Sequence, residues 1–533
     1  MFPPSALDVA RQSFVILLPE ILLLLTATAM MTAAAFVRLP RRIWCITSAV
    51  ALGLAVLVLL YGSPQGTDPY ASAVLNDAFS NYARLLLLLS GLVVVAIAHD
   101  QVDDGRAGEF FGSLLMIDAG AMVVAASNEL VTLFVGLELV SIPTYLLLYL
   151  SRRTEKTQEA ATKYFFLSIF SSGLMLFGLA YLYGSIGVSN LKALAYLSNH
   201  VSGALQPQFA LVAVVFVMAG LGFRVAAVPF HFYAPDVYQG SPTVVAAMLS
   251  WVPKAVGYFA FARTITAVVS AGGPTSDLGH RAVLLAWIIA VVTMTLGNTV
   301  ALAQQNLKRL LAYSSIAHAG YLMIGVAVAF RNTPDSGMVY FGIEGILFYL
   351  TAYAMMTLGA FGVIVMLSTP ERPVETVDDL SGLARSHPLS ALAMAICLFS
   401  LAGIPPLAGF WGKFELFASA FSATSGNGPD SRLFFWLAVI AVLNSAVGAY
   451  YYLRIVVGMY LKPATGLPLR TTLAWPTVAA VSACTIFTVA FGINPLPIAR
   501  ATRLAAEAAI HLPDPSGEEG LRPVAVVPGA VAR

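Results

Sequence analysis

The chain has 533 residues, of which 59% are hydrophobic and only 11% charged, and its mean hydropathy is +0.82. Soluble domains carry about 25% charged residues, so the composition indicates an integral membrane protein and excludes a soluble enzyme. The net charge of +2, without a basic patch among aromatic residues, gives no indication of a nucleic-acid partner. The cysteines, Cys45, Cys397 and Cys484, are isolated and lack the spacing of a metal or iron–sulfur site.

Apolar segments of membrane-spanning length follow one another along almost the whole chain. The first, at 13–37, is too long for a signal peptide and lacks a small-residue cleavage site, so it predicts a transmembrane helix. Hydropathy predicts about fourteen spans, near 13–37, 43–61, 83–98, 110–127, 130–150, 164–184, 209–230, 242–264, 282–303, 310–330, 340–367, 389–422, 432–460 and 472–492. From about 500 the chain is polar and rich in Pro, Gly and Glu, and we expect a loosely docked or disordered tail.

Lysine and arginine are concentrated in the loops that follow odd-numbered spans, for example at Arg41, Lys308 and Arg385. The opposite loops, without the tail, hold about half as many. Loops rich in positive charge face the cytoplasm. With an even number of spans, both termini are predicted on the extracytoplasmic side.

Two spans are interrupted by proline close to a charge, one at Arg224 and Pro229 and the other at Pro405, Pro406 and Lys413. Proline leaves carbonyl groups without partners, which a membrane protein tolerates only inside protein or beside water. The breaks fall in the seventh and twelfth spans, so a repeated five-span unit would start on opposite faces of the membrane. We therefore predict an all-α protein with two inverted five-helix repeats. The predicted divisions are helices 1–3 (1–109), the first repeat (110–264), the second repeat (282–460), helix 14 (472–492) and the tail (500–533).

Four charged residues lie in the middle of apolar segments: Glu138, Arg224, Lys254 and Lys413. A charge at the bilayer centre costs at least about 2.5–3.5 kcal/mol, and such residues usually mark an ion or proton path. Arginine keeps its proton, so Arg224 is expected to hold Glu138 ionised. Lys254 and Lys413 can load and release protons. The alternatives without a role in transport are a purely structural ion pair between Arg224 and Glu138, and a neutral, hydrogen-bonded acid at Glu138.

Histidine shuttles protons in the physiological range, so His318 in the tenth span is a further candidate, although a lone membrane histidine is often only a hydrogen-bonded core residue. His231 and Asp236 lie at the cytoplasmic end of the seventh span, where a proton could enter. The remaining weaker candidates on this path are Asp118, Lys163 and Glu344.

Three stretches resemble the antiporter-like membrane subunits of respiratory complex I, in the version typical of subunit N (mitochondrial NADH dehydrogenase subunit 2). They are 229–243 (PFHFYAPDVYQGSPT), 307–318 (LKRLLAYSSIAH) and 401–414 (LAGIPPLAGFWGKF). The resemblance covers about 15–495. It implies fourteen helices, two inverted repeats and a central polar axis on which Glu138, Arg224, Lys254, His318 and Lys413 fall.

One position departs from the family pattern: the family usually has lysine where this chain has Arg224. If that cation had to change its protonation during turnover, arginine would fail. We therefore expect Arg224 to act as a fixed charge, with movements of Glu138 toward or away from it changing the proton affinity of Lys254.

The resemblance implies a proton-translocating subunit of a bacterial NADH-quinone oxidoreductase in the plasma membrane, surrounded by lipid and by other membrane-arm subunits, including antiporter-like ones. It implies no cofactor on this chain, with NADH, FMN, iron–sulfur clusters and quinone on partner subunits. One alternative is a subunit of a multisubunit Na⁺/H⁺ antiporter, which shares the fold but normally differs after the seventh-span break. Another is a scaffold that transports nothing.

Overall fold

A computed structural model describes residues 6–62, 68–150, 154–200, 207–269, 277–331, 338–369, 372–425, 430–464 and 474–512. Within these ranges the protein is helical, without a strand, and twelve helices are long and apolar enough to cross a membrane. Shorter apolar helices at Gln208–Arg224 and Pro388–Ala402 belong to the two interrupted spans. Every one of the fourteen predicted spans therefore coincides with a helix or a broken helix.

The N-terminal part, before the predicted repeats, contains four helices. They are α1 (Ala6–Ile16), α2 (Leu18–Phe36), α3 (Arg41–Tyr61) and α4 (Ala78–Ala98). Helix α4 begins five residues before the predicted span, because Asp77 and Ser80 form a reciprocal capping box at its start. Hydropathy missed the first turn because it contains the polar residues Ser80 and Asn81. Arg84, inside the predicted span, is compensated in the interior by Glu20 at 2.6 Å.

The first predicted repeat contains α5 (Ala107–Ala126), α6 (Leu130–Tyr149), α7 (Glu155–Ile186), α8 (Leu191–His200), α9 (Pro207–Arg224), α10 (Ala234–Gly240) and α11 (Thr243–Val269). The second contains α12 (Asp277–Leu302), α13 (Leu307–Phe330), α14 (Met338–Leu367), α15 (Leu383–Ser386), α16 (Pro388–Ala402), α17 (Ala408–Ser422) and α18 (Ser431–Leu461). The interruptions lie between α9 and α10 and between α16 and α17, as predicted. At the second, Gly403 ends α16 with a left-handed φ of 88°.

Matching bridges at corresponding places support the internal repeat. Glu129, just before α6, forms an isolated antiparallel bridge with Asn190, which follows α7. Asn306, just before α13, does the same with Thr376, which follows α14. In both cases the bridge joins the start of one helix to the segment that follows the next helix. Because α6 and α13 are each the second helix of their repeat, the two bridges occupy equivalent positions.

The centre of the molecule is formed by α11, α13 and α14, in which nearly every described residue is buried. Helices that are apolar all round are expected in such a position. Peripheral helices such as α2 and α18 bury a much smaller share of their residues and present apolar side chains outward, as lipid-facing helices do. Polar groups on the three central helices are therefore shielded from lipid by the surrounding ones.

The C-terminal region differs from its prediction. After α19 (Trp475–Ile493), residues 496–510 form a further helix, α20 (Leu496–Ile510), which packs against α14 and α4 and buries Ala505 and Ala506. The prediction of a loose tail from 500 is therefore wrong for its first eleven residues, because α20 is amphipathic and gains its stability from docking. The rest of the predicted tail, 513–533, lies outside the described residues.

Candidate functional site

The structure brings Glu138 and Arg224 together near the middle of the first repeat. Glu138 lies at the centre of α6, and Arg224 is the last residue of α9 before the break. The Arg224 guanidinium donates from Nη2 to Oε1 of Glu138 at 2.9 Å, and from Nη1 to the Leu137 carbonyl at 2.9 Å and to the Ser141 hydroxyl. Ser172 on α7 donates to the same carboxylate oxygen at 2.5 Å. Three helices therefore hold the pair in one geometry.

Lys254 is 2% exposed on the central helix α11. Within the described residues, no hydrogen bond or ion pair of its ammonium group is present. Gly257, one turn away on α11, lies where an added Cβ would be 3.6 Å from the Arg224 Cβ, so this helix packs directly against the Glu138–Arg224 pair. The hydroxyl of the next residue, Tyr258, donates to the Ala319 carbonyl on α13 at 2.6 Å. The face of α11 that carries Lys254 thus joins the pair to the neighbourhood of His318.

His318 lies in a buried cluster of hydroxyl groups. Its Nδ1 is hydrogen-bonded to the Tyr349 hydroxyl on α14, and its Nε2 lies 2.8 Å from the Tyr452 hydroxyl on α18. Tyr452 is in turn hydrogen-bonded to Ser314, one turn before the histidine. Both ring nitrogens therefore have a partner that can donate or accept a proton, which suits a relay as well as a structural role.

Lys413 lies beside the second interruption. Its ammonium donates to the Ala402 carbonyl at 3.0 Å and to the Ser445 hydroxyl at 3.1 Å, and lies 5.1 Å from the centre of the Tyr321 ring. Ala402 is the last residue of α16, where carbonyls lack helical partners and the helix dipole favours a cation. The break in the helix thus creates the site that this buried lysine occupies.

Asp236 on α10 forms a charged cluster at the predicted cytoplasmic side. Its two carboxylate oxygens accept from Lys163 at 2.5 Å and from Arg309 at 2.6 Å. Burial would raise the pKa of Asp236, but the hydrogen bonds from these two cations outweigh burial and hold the pKa below its ordinary value. Two residues on, the Tyr238 hydroxyl lies 3.4 Å from Ser315, next to the helix face of His318.

No contact among the described residues brings the other weaker candidates into this arrangement. Asp118 is buried on α5, where its Oδ2 lies 2.3 Å from the position of a Cβ added to Gly91 of α4. His231 is partly buried in the connection between α9 and α10. Glu344 is partly buried near the start of α14.

Sequence reasoning missed two kinds of residue. The first is the group of tyrosines around His318, for which the sequence signal is Tyr349 and Tyr353 one turn apart in an otherwise apolar helix. The second is a buried ion pair, Arg263 with Asp77 at 2.7 Å, which lies near Lys192. Burial, together with the charge of Arg263, lowers the pKa of Lys192 to about 8, and the charge of Asp77 opposes this shift.

No group of three or more potential metal-ligating side chains occurs among the described residues. The three cysteines are unpaired and buried. The polar clusters described above consist of ionisable side chains and hydroxyl groups, which can bind and transfer protons.

The sequence matches the family described as NADH:quinone oxidoreductase/Mrp antiporter, transmembrane, over residues 127–443. The chain therefore belongs to this family of antiporter-like membrane proteins.

The relatives narrow the place of the chain within the family. Subunit N of NADH-quinone oxidoreductase from Trichlorobacter lovleyi is 39% identical over 454 residues, which is 84% of this chain and 88% of the relative. Subunit N from Paramagnetospirillum magneticum is 35% identical over 497 residues, 92% of this chain and 96% of the relative. These relatives confirm the predicted resemblance to subunit N.

Solved structures show the same fold. A chain in respiratory complex I from Thermus thermophilus with bound aureothin is 32% identical, with a TM-score of 0.73 over 92% of this chain and 100% of that chain. A chain of the Mrp complex from Dietzia sp. DQ12-45-1b has a TM-score of 0.77 over 94% of this chain and 97% of that chain, at 20% identity. At this lower identity the likeness concerns the fold alone. The predicted all-helical, antiporter-like fold is confirmed.

Proposed function

We propose that this chain moves protons across the membrane along a buried polar axis formed by Glu138, Arg224, Lys254, His318 and Lys413. The chain is a proton-translocating membrane-arm subunit of NADH-quinone oxidoreductase, as its subunit N relatives and its complex I structural match indicate. Its partners are other membrane-arm subunits of that complex. NADH, FMN, iron–sulfur clusters and quinone belong to partner subunits, and the membrane is a bacterial plasma membrane with both termini outside.

One observation carries the proposal. Ionisable side chains lie at both helix interruptions, and the protein interior between them contains the face of α11 with Lys254 and the hydroxyl cluster around His318. Protons enter from the cytoplasmic side near Asp236 and Lys254 and pass His318. They leave outward near Lys413. Because the carboxylate of Glu138 lies against a fixed positive charge, its displacement changes the field at the neighbouring helix α11. Charges several ångströms apart in a protein interior exchange several kcal/mol, enough to drive a proton on or off a lysine.

Replacement of Lys254 tests the proposal. In the purified whole enzyme reconstituted in liposomes, Lys254→Ala should abolish NADH-driven acidification while electron transfer from NADH to an artificial acceptor continues on the partner subunits. Lys462→Ala is the matched control, because Lys462 is 55% exposed and its ammonium group lies 3.5 Å from the Asp378 carboxylate at the surface. Normal proton pumping by the Lys254→Ala enzyme would refute the axis. Sodium-dependent exchange in vesicles without NADH would instead indicate an antiporter.

A further inference from the structure

We propose that a groove between α3, α4 and α19 binds one phospholipid of the leaflet that is predicted to be cytoplasmic, with one of its acyl chains in the groove and its phosphate on Arg42. The groove has a volume of about 890 Å³. Its wall is almost entirely apolar and is built largely from small residues, among them Ala49, Ala96 and Ala483.

The length of the groove identifies the occupant. The lining residues fall within 42–50 of α3, 92–100 of α4 and 474–483 of α19. Each stretch rises by about 12–14 Å at 1.5 Å per residue, close to half of the ~30 Å hydrocarbon core. A transmembrane helix of a partner subunit would need a contact surface running across both leaflets. An acyl chain needs one leaflet, which is the length that the groove provides.

The polar groups of the groove are confined to one end. Arg42, His99 and Asp100 lie there, together with Trp475, which is 78% exposed. Exposed tryptophan and arginine at the end of membrane helices are typical of the headgroup level. The groove therefore has the polarity of a phospholipid, with an apolar length and a charged end.

The charges at this end favour a phosphate. Asp100 is already paired with Arg41 at 3.2 Å, and its Oδ1 also lies 2.9 Å from Nδ1 of His99. In contrast, the Arg42 side chain forms no hydrogen bond or ion pair with the residues that the structure describes. Arginine binds phosphate through two parallel hydrogen bonds, and a cation at the membrane surface attracts anionic groups. Arg42 is thus the group in the groove that is free to hold a headgroup.

The site adjoins the proposed proton path through α4. Ser90, two residues before the part of α4 that lines the groove, accepts a hydrogen bond from the indole of Trp251 at 2.8 Å. Trp251 lies three residues before Lys254 on α11. A bound acyl chain would therefore support the helix that holds the lysine-bearing helix in position.

Photocrosslinking in the intact enzyme, in native membranes, tests the proposal. Benzoylphenylalanine is placed at Ile46, which lines the groove and is 61% exposed. The matched control is Leu57, 50% exposed, eleven residues further along the same face of α3 and about 16 Å away in the other leaflet. After illumination, the adducts at each position are identified by mass and phosphate content.

A phospholipid adduct should form at position 46 in clear excess over position 57. Adding Arg42→Ala should lower the yield at position 46 by about fivefold, the equivalent of one interfacial cation, whereas Arg42→Lys should restore most of it. A crosslink from position 46 to a partner polypeptide, or equal lipid yields at the two positions, would overturn the site. A yield unaffected by Arg42→Ala would overturn the phosphate contact. Because both photoreactive positions are exposed on α3, assembly of the enzyme should survive either replacement.

Discussion

Removing the cation at Arg224 should stop proton pumping, whereas replacing it by lysine should not. In the structure the guanidinium and the Glu138 carboxylate are 2.9 Å apart, and their side chains are 7% and 24% exposed. Two unit charges about 4 Å apart attract by about 4 kcal/mol at an effective dielectric constant of about 20. Breaking a buried pair by deleting one partner costs a similar ~3–5 kcal/mol. Arg224→Ala therefore removes the interaction on which the proposed coupling depends, and Arg224→Lys keeps its charge.

The assay is NADH-driven proton uptake into inverted membrane vesicles, normalised to NADH oxidation with an artificial acceptor so that assembly of the enzyme is counted separately. Arg224→Ala should reduce uptake to background, and Arg224→Lys should retain most of it. The control is the double replacement Glu20→Gln with Arg84→Met, which removes another buried ion pair, 2.6 Å long, outside the proposed axis. Replacing both partners of such a pair is often neutral, so uptake should stay within about twofold of the parent. Intact uptake by the Arg224→Ala enzyme would refute the reasoning.

Two further predictions concern the middle of the path and its entrance. Tyr452→Phe removes the hydroxyl beside His318 and should slow proton pumping by about tenfold, since an unsatisfied buried partner costs ~1–3 kcal/mol. The control is Tyr82→Phe, which removes a hydroxyl that contacts Thr351 outside the axis and should leave pumping normal. Equal pumping rates for the two variants would contradict the relay. Because the pKa of Asp236 is lowered, its stabilising charge is complete above about pH 4 and is lost only as the pH falls through the lower folded value. The ratio of Asp236→Asn to parent proton uptake should thus stay constant from pH 6 to pH 8, and a ratio that changes severalfold in this range would show that another group controls uptake.

The spans and their interruptions could be predicted because they depend on local properties. Length and hydropathy define a membrane helix, and proline close to glycine defines a break, whichever partners the helix later finds. The same logic predicted that Glu138 and Arg224 would meet, since two opposite charges at equal depth in neighbouring spans stabilise each other. This prediction required only depth, and the structure brings the two groups into contact.

The surroundings of His318 could not be predicted, because tyrosine gives an ambiguous signal. Its ring belongs in an apolar core and its hydroxyl in a polar cluster, so Tyr349 and Tyr452 look like ordinary residues of apolar helices until α13, α14 and α18 are assembled. Helix α20 escaped detection for a related reason. Its buried face has one large apolar residue, Ile498, beside Thr502 and three alanines, so it gives a weak hydropathy signal and gains its burial from docking on α14 and α4.

Both interruptions are breaks in a membrane helix beside a buried cation, but the two cations have different partners. This difference gives them different roles on the proposed axis. Arg224 faces a carboxylate and cannot release its proton, so its charge is constant and only its distance from Glu138 can vary. Lys413 is bound to a backbone carbonyl and a hydroxyl, both neutral. A lysine held by neutral acceptors can lose a proton without leaving a carboxylate uncompensated. The first repeat is therefore suited to setting the electric field, and the second to releasing the proton that this field displaces.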